Sequence, residues 1–227
     1  MANHAAWLDP FWLGKVIPRR LTPMMTSDFY DLPGLYWLMR YVLRVIRVEE
    51  AHARREAPEL QEAVARLDAG ECLVIFPEGR LRRDENRPLS PFQRGIWVIL
   101  QQRPQTPVVP CWIEGNWGSF FSWKNGPPMK NKSFDWCRQI TVVIGEPTRV
   151  PAEILADHRA TRRYLEQAVL SLRCKLDGSG AATPNANTPM TLPDDAATNA
   201  LTDRPLHRTP PSNTSSPPDD VSRDARD

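Results

Sequence analysis

Apolar positions along the chain fall into a few clear rhythms. Leu35, Leu38, Met39 and Val42 recur at helical spacing, behind Asp31 as a cap and Pro33 in the first turn. Residues 44–48 then read as a short strand. Leu60, Val64 and Leu67 line one face of a helix that Pro58 opens and Gly70 ends. Residues 72–76 are apolar throughout, as in a strand buried on both faces. A helix is expected over 92–102. A strand over 106–113 must bend or sit at an edge, because prolines interrupt it. A further strand covers 139–144. One long helix, with Leu165, Val169 and Leu172 on one side, runs from 151 to about 175. Strands separated by helices predict an α/β domain with a mixed, largely parallel sheet flanked by helices.

The rhythm stops near Asp177. Residues 176–227 hold eight of the 23 prolines, lack aromatic residues and have few large aliphatics. Such a segment buries too little apolar area to offset its ordering entropy. The expected division is therefore a folded domain over 1–175 and a disordered Pro/Asp-rich tail over 176–227. Charge divides at the same place. Residues 1–175 carry 25 Lys+Arg against 19 Asp+Glu, whereas the tail carries 4 Arg against 8 Asp. The overall +2 thus conceals a basic body suited to anionic partners.

Composition narrows the class further. Of the 227 residues, 41% are hydrophobic and 25% charged, within the range of soluble globular chains. No apolar run approaches the roughly 18 residues that span a bilayer. Cys72, Cys111, Cys137 and Cys174 lie far apart with no C-x-x-C pair, so they read as reduced thiols and a zinc site of that type is not expected. His207 falls in the tail, and His52 and His158 sit among charged residues as solvated surface side chains.

Three short segments carry candidate chemistry. The first is Asn3-His4-Ala5-Ala6-Trp7-Leu8-Asp9-Pro10. On a regular helix, His4 and Asp9 would be turned roughly 140° apart. They can meet when His4 lies in the turn ahead of a helix that Asp9 starts, and Pro10 favours that placement. A carboxylate on one imidazole nitrogen fixes the tautomer and frees the other as a base. The pair is half of a triad without its own nucleophile, so its natural work is to activate a substrate hydroxyl.

The second segment, Phe76-Pro77-Glu78-Gly79-Arg80, turns at the carboxyl end of a buried strand, where α/β sheets hold ligands. Glu78 and Arg80 are expected to project there as opposite charges. Arg82, Arg83, Arg87 and Arg94 make the region basic, and an arginine fork suits phosphate. The third segment is Val108-Val109-Pro110-Cys111.

In order and approximate spacing these segments, together with the downstream Leu89-Ser-Pro-Phe-Gln-Arg-Gly95, resemble the glycerophospholipid acyltransferases typified by 1-acylglycerol-3-phosphate acyltransferase. The resemblance covers about residues 3–150. It implies that His4 is the catalytic base and Asp9 its orienting carboxylate. It assigns Glu78, Gly79 and Arg80 to binding of the acceptor and its phosphate, and Pro110 to the acyl-donor side. It implies direct acyl transfer from acyl-CoA or acyl carrier protein to a lysophospholipid, with no metal and no resident cofactor. It also implies a peripheral site on the cytoplasmic membrane face. No recognised nucleic-acid motif is present, so no nucleic-acid partner is expected. The family normally carries a strand and helices ahead of its His motif, so elements missing at the N-terminus are expected.

The chain departs from the family pattern in its second motif. Where Asp-Arg is usual, Glu49 and Glu50 stand, reversing the second charge. That leaves the acceptor headgroup open, lysophosphatidate or a relative. The competing reading is a catalytically weak or inactive lipid-binding remnant of the same fold. Trp112, Trp117, Phe120, Phe121 and Trp123 cluster ahead of Lys124. They fit a membrane interface or the mouth of an acyl tunnel, or an ordinary core-and-loop cluster.

Overall fold

The computed structural model describes residues 1–26, 44–48, 58–176 and 178. In chain order these form α1 (Asp9–Val16), β1 (Leu21–Thr26), β2 (Ile46–Val48), α2 (Pro58–Asp68), β3 (Cys72–Val74), α3 (Arg94–Gln102), β4 (Cys111–Glu114), β5 (Thr141–Ile144), α4 (Ala152–Leu155) and α5 (His158–Leu176). The helix expected behind Asp31, and Glu49, Glu50 and His52, lie outside the described residues. So does the tail, apart from Leu176 and Gly178.

Strands β2, β1 and β3 form a parallel sheet in that order, and β4 pairs antiparallel with β5. The first residues of the chain join the two sheets. Ala2 N donates to Ile75 O at 3.2 Å, while Cys111 N donates to Met1 O at 2.8 Å. Helices cover both faces, which establishes the expected α/β class. Along β4, Cys111 and Ile113 pack with Leu13 of α1, whereas the intervening Trp112 packs with Ile96 of α3 and Leu165 and Val169 of α5. That alternation is the period of two of a strand with a core on each side. The face expected on α2 is the one used: Val64 packs with Ile46 and Ile99, flanked by Leu60 and Leu67.

Two elements differ from the sequence pattern. Strand β1, Leu-Thr-Pro-Met-Met-Thr, occupies the centre of its sheet although it contains Pro23. The pairing is staggered: residues 21–23 face β3 and residues 24–26 face β2. Pro23 therefore has a neighbour on one side only, and its missing N–H does not interrupt a ladder on the other. The long C-terminal helix is likewise broken. Residues 156–157 separate α4 from α5, because Asp157 caps α5 by accepting from Arg159 N at 3.2 Å and Ala160 N at 2.9 Å. Those amides hold its carboxyl below the usual range.

Candidate active site

The site lies past the carboxyl ends of β3 and β4. Beyond β3, Gly79 N returns to Phe76 O at 3.0 Å and closes a turn. Gly79 takes φ +67°, a left-handed value that glycine adopts without strain. The turn sets Glu78 inward. Beyond β4, Gly115 takes φ +94°, and a Cβ there would come within 2.2 Å of Gln139 O. Glycine is required at that position, and it aims Asn116 back under α1.

His4 is fixed on four sides. Its backbone N donates to Glu78 Oε1 at 2.7 Å. Its carbonyl accepts from Arg82 N at 2.8 Å. The ring stacks on Phe76, with centroids 4.2 Å apart and planes 21° from parallel. Nδ1 lies 2.9 Å from Asp9 Oδ2. A carboxylate accepts, so in the neutral ring this contact places the proton on Nδ1 and the lone pair on Nε2. The His4 side chain is 20% exposed and that of Asp9 is 0% exposed, so the imidazole meets solvent while the carboxylate does not.

Asp9 opens α1 with Pro10 behind it, the local arrangement the spacing required. Its Oδ2 also accepts from Ala5 N at 2.6 Å and Ala6 N at 2.9 Å. Both amides belong to the turn ahead of α1, so the carboxylate ties that turn to the start of the helix. Its Oδ1 accepts from Asn116 Nδ2 at 2.5 Å. The two buried oxygens thus have their hydrogen-bonding capacity met by four donors.

Glu78 differs from its expected position beside Arg80. It is buried, and its two oxygens accept from the backbone amides of His4 and Ser90, both at 2.7 Å. Burial raises its pKa above the ordinary carboxyl value, and the Ser90 and His4 amides oppose that rise. Glu78 is thus a brace for the segment that bears His4. Arg80 is exposed and has no ion-pair partner among the described residues, which leaves its guanidinium open to an anion. Arg82 lies against the Trp117 ring at 4.5 Å and donates to the carbonyls of Asp84 and Glu85. Burial lowers its pKa, with Arg173 adding to the effect. Pro110 is buried at the head of β4, where its carbonyl accepts from Gly145 N at 2.8 Å.

Asn3 and Asn116 carry site geometry that the pattern of the chain did not single out. Asn3 behaves as a strand residue through its side chain: Nδ2 donates to Ile113 O at 3.0 Å and Oδ1 accepts from Ile113 N at 2.7 Å. This locks the residue before His4 onto β4. The available signal was a Gly-Asn step just past an apolar strand. Trp112, from the aromatic cluster, is core, and His158 is half-buried against Trp97 rather than solvated. All four cysteines are free thiols. Among the described residues, no group of three or more His, Cys, Asp or Glu could hold a metal ion, and no helix is long and apolar enough to cross a membrane.

The model of the acyltransferase family matches residues 1–114, half of the chain. A 1-acyl-sn-glycerol-3-phosphate acyltransferase of Saccharomyces cerevisiae is 28% identical over 138 residues, 56% of this chain and 41% of the yeast protein. A lyso-ornithine lipid O-acyltransferase of Brucella abortus is 26% identical over 192 residues, covering 76% of this chain and 69% of its own. The chain therefore spans less than half of the yeast relative's length. The crystal structure of the 1-acyl-sn-glycerophosphate acyltransferase PlsC from Thermotoga maritima shares the fold. Its TM-score is 0.55 at 23% identity, over 80% of this chain and 66% of that one. With the segments that bear His4, Asp9, Glu78 and Pro110 all inside the matched region, the chain belongs to the acyltransferase family.

Proposed function

We propose that the chain transfers a fatty acyl group from a thioester, acyl-CoA or acyl carrier protein, to the free hydroxyl of a lysophospholipid. The observation that carries this reading is the His4 Nδ1–Asp9 Oδ2 contact of 2.9 Å, made by a ring that still reaches solvent. Nε2 takes the hydroxyl proton as the oxygen attacks the thioester carbonyl. The buried Asp9 carboxylate stabilises the imidazolium that forms. The tetrahedral intermediate then expels the thiolate, which takes the proton from His4. No enzyme nucleophile and no resident cofactor enter; the thioester is a co-substrate.

Arg80 binds the acceptor's phosphate as a free guanidinium beyond the Gly79 turn. Glu78 acts through the backbone of His4, and Pro110 sets the course of β4 on the acyl-donor side. Residues 1–175 form the acyl-transfer unit, working peripherally at the cytoplasmic face of a membrane. The two curated relatives are named for different lyso-type acceptors, which supports the substrate class and leaves the headgroup to experiment.

The test is thioester consumption in detergent micelles, with acyl-CoA and acyl carrier protein offered against a panel of lysophospholipids. His4→Ala is expected to lower kcat by about 10²- to 10⁴-fold, the usual contribution of a positioned base. Turnover near wild type in His4→Ala refutes the mechanism. Lipid binding without thioester consumption in the wild type marks a lipid-binding remnant instead.

A further inference from the structure

The loop after Gly126 turns large apolar side chains outward. Trp136 is 87% exposed, Met129 52% and Phe134 44%. They are not scattered. Trp136 packs on Phe134 with ring centroids 4.4 Å apart, and Phe134 packs on Phe121 at 5.9 Å. Phe121 in turn faces Trp7 at 6.4 Å, and Trp7 N donates to Phe121 O at 3.3 Å. An aromatic chain thus runs from solvent to the segment that carries His4, three residues before Trp7.

The loop backbone is arranged to hold this exposure. Asn125, Met129 and Asn131 take φ of +60°, +66° and +53°. The left-handed region costs a bulky side chain such as Met129 about 1 kcal/mol or more. The conformation is pinned by Met129 N donating to Phe120 O at 2.8 Å. The Lys132 ammonium also donates to the carbonyls of Ser122, Gly126 and Pro127. Backbone strain that keeps a methionine in water runs against burial and suits a surface that acquires its cover from outside.

Charge around the ledge points to what covers it. The neighbouring carboxylates are already engaged, Asp135 with Arg138 at 3.5 Å and Glu85 with Lys124 at 2.6 Å. Lys130 is exposed with no ion-pair partner among the described residues, and Arg83 lies over the Trp123 ring at 4.3 Å. Cations beside Trp and Phe are the composition of an interfacial anchor: rings at the headgroup level, cations at the phosphates.

We propose that Met129, Phe134 and Trp136, with Lys130 at their rim, form a ledge that docks on an anionic lipid bilayer and seats the His4 segment at the membrane surface. The proposal deepens the acyl-transfer reading, because a lipid acceptor then arrives from the docked side. Docking is measured without turnover, so the two readings fail separately.

The experiment is sedimentation of the full chain with phosphatidylcholine vesicles, with and without phosphatidylglycerol. The wild type is expected to bind the mixed vesicles more tightly than the neutral ones. Phe134→Ser/Trp136→Ser, with unchanged far-UV circular dichroism, is expected to bind at least about tenfold more weakly, the scale of two part-buried rings. Lys130→Glu is expected to weaken binding to the mixed vesicles alone. Equal binding by wild type and the double variant overturns the proposal, as does a wild type that stays in the supernatant. A dimer that the double variant dissolves while vesicle binding persists reassigns the ledge to contact between copies of the chain.

Discussion

The side-chain amide of Asn116 donates to Asp9 Oδ1 at 2.5 Å, with both residues buried, and joins the end of β4 to the start of α1. Asp9 then has one oxygen for Asn116 and the other for His4, Ala5 and Ala6. The orientation of the imidazole depends on a residue more than a hundred positions away in the chain. Gly115, left-handed and without room for a Cβ, is the reason Asn116 reaches it.

Asn116→Ala is expected to lower kcat about tenfold with little change in KM, because it frees Asp9 to rotate without touching substrate. Asn116→Asp is the sharper variant. It sets a second carboxylate beside Asp9, and two such groups cannot both ionise without strong repulsion. The acid limb of the kcat profile should therefore move to higher pH in Asn116→Asp and stay in place in Asn116→Ala. Equal profiles for the two variants would mean that Asn116 only fills space.

Much of this arrangement was legible in the sequence. Pro10 behind Asp9 located the start of α1, and the apolar run from Cys72 located β3 and the turn beyond it. The rest depends on contacts that no local pattern records. Asn3 pairs with Ile113 and Asn116 with Asp9 over separations of 110 and 107 residues. Glu78 looked like a site charge because it sits between a turn and an arginine. Its burial is decided by the amides of His4 and Ser90, which appear only once the chain has folded. β1 was hidden by Pro23, whose harmlessness follows from the stagger of its two partners.

Arg80 is the exposed cation nearest the Glu78 brace in sequence, and its guanidinium is not consumed by an internal pair among the described residues. Arg80→Ala is expected to raise the acceptor KM about tenfold while kcat falls less, since a phosphate contact serves ground state and transition state alike. Arg80→Lys keeps the charge without the two-oxygen fork and should recover part of the loss. Steady-state kinetics with a phosphate-bearing lyso-lipid checks this; an unchanged KM removes Arg80 from the acceptor site.

Glu78 tests whether a carboxylate is needed as a brace. Its two oxygens accept from two backbone N–H groups, so Glu78→Gln supplies one acceptor and turns an NH₂ toward the other donor. The loss should be about 1–3 kcal/mol of unfolding free energy, read from urea denaturation at neutral pH. Activity should fall with it, because the His4 backbone N is one of the two donors. A variant as stable and as active as wild type would leave the brace without a role.

His158 gives the fold a pH dependence of calculable sign. The residue opens α5, its ring meets Trp97 edge-on at 5.4 Å, and its Nε2 is buried with no hydrogen-bond partner among the described residues. Burial lowers its pKa below the ordinary value, with Arg162, Arg94 and Arg159 adding to the effect and Asp157 opposing it. A cation at a helix N-terminus is unfavourable as well. The neutral ring is therefore the folded form, while the unfolded chain takes up its proton near pH 6.5. Stability from this group is fully present above that pH and is lost as the pH falls through the folded value. His158→Phe keeps an aromatic ring against Trp97 and cannot titrate. Its urea midpoint, measured against wild type in steps from pH 7.5 to 5, should gain on the wild type as the pH drops below about 6.5. A difference between the two proteins that is constant across the series would show that His158 stays neutral in both folded and unfolded chains, or ionises equally in both.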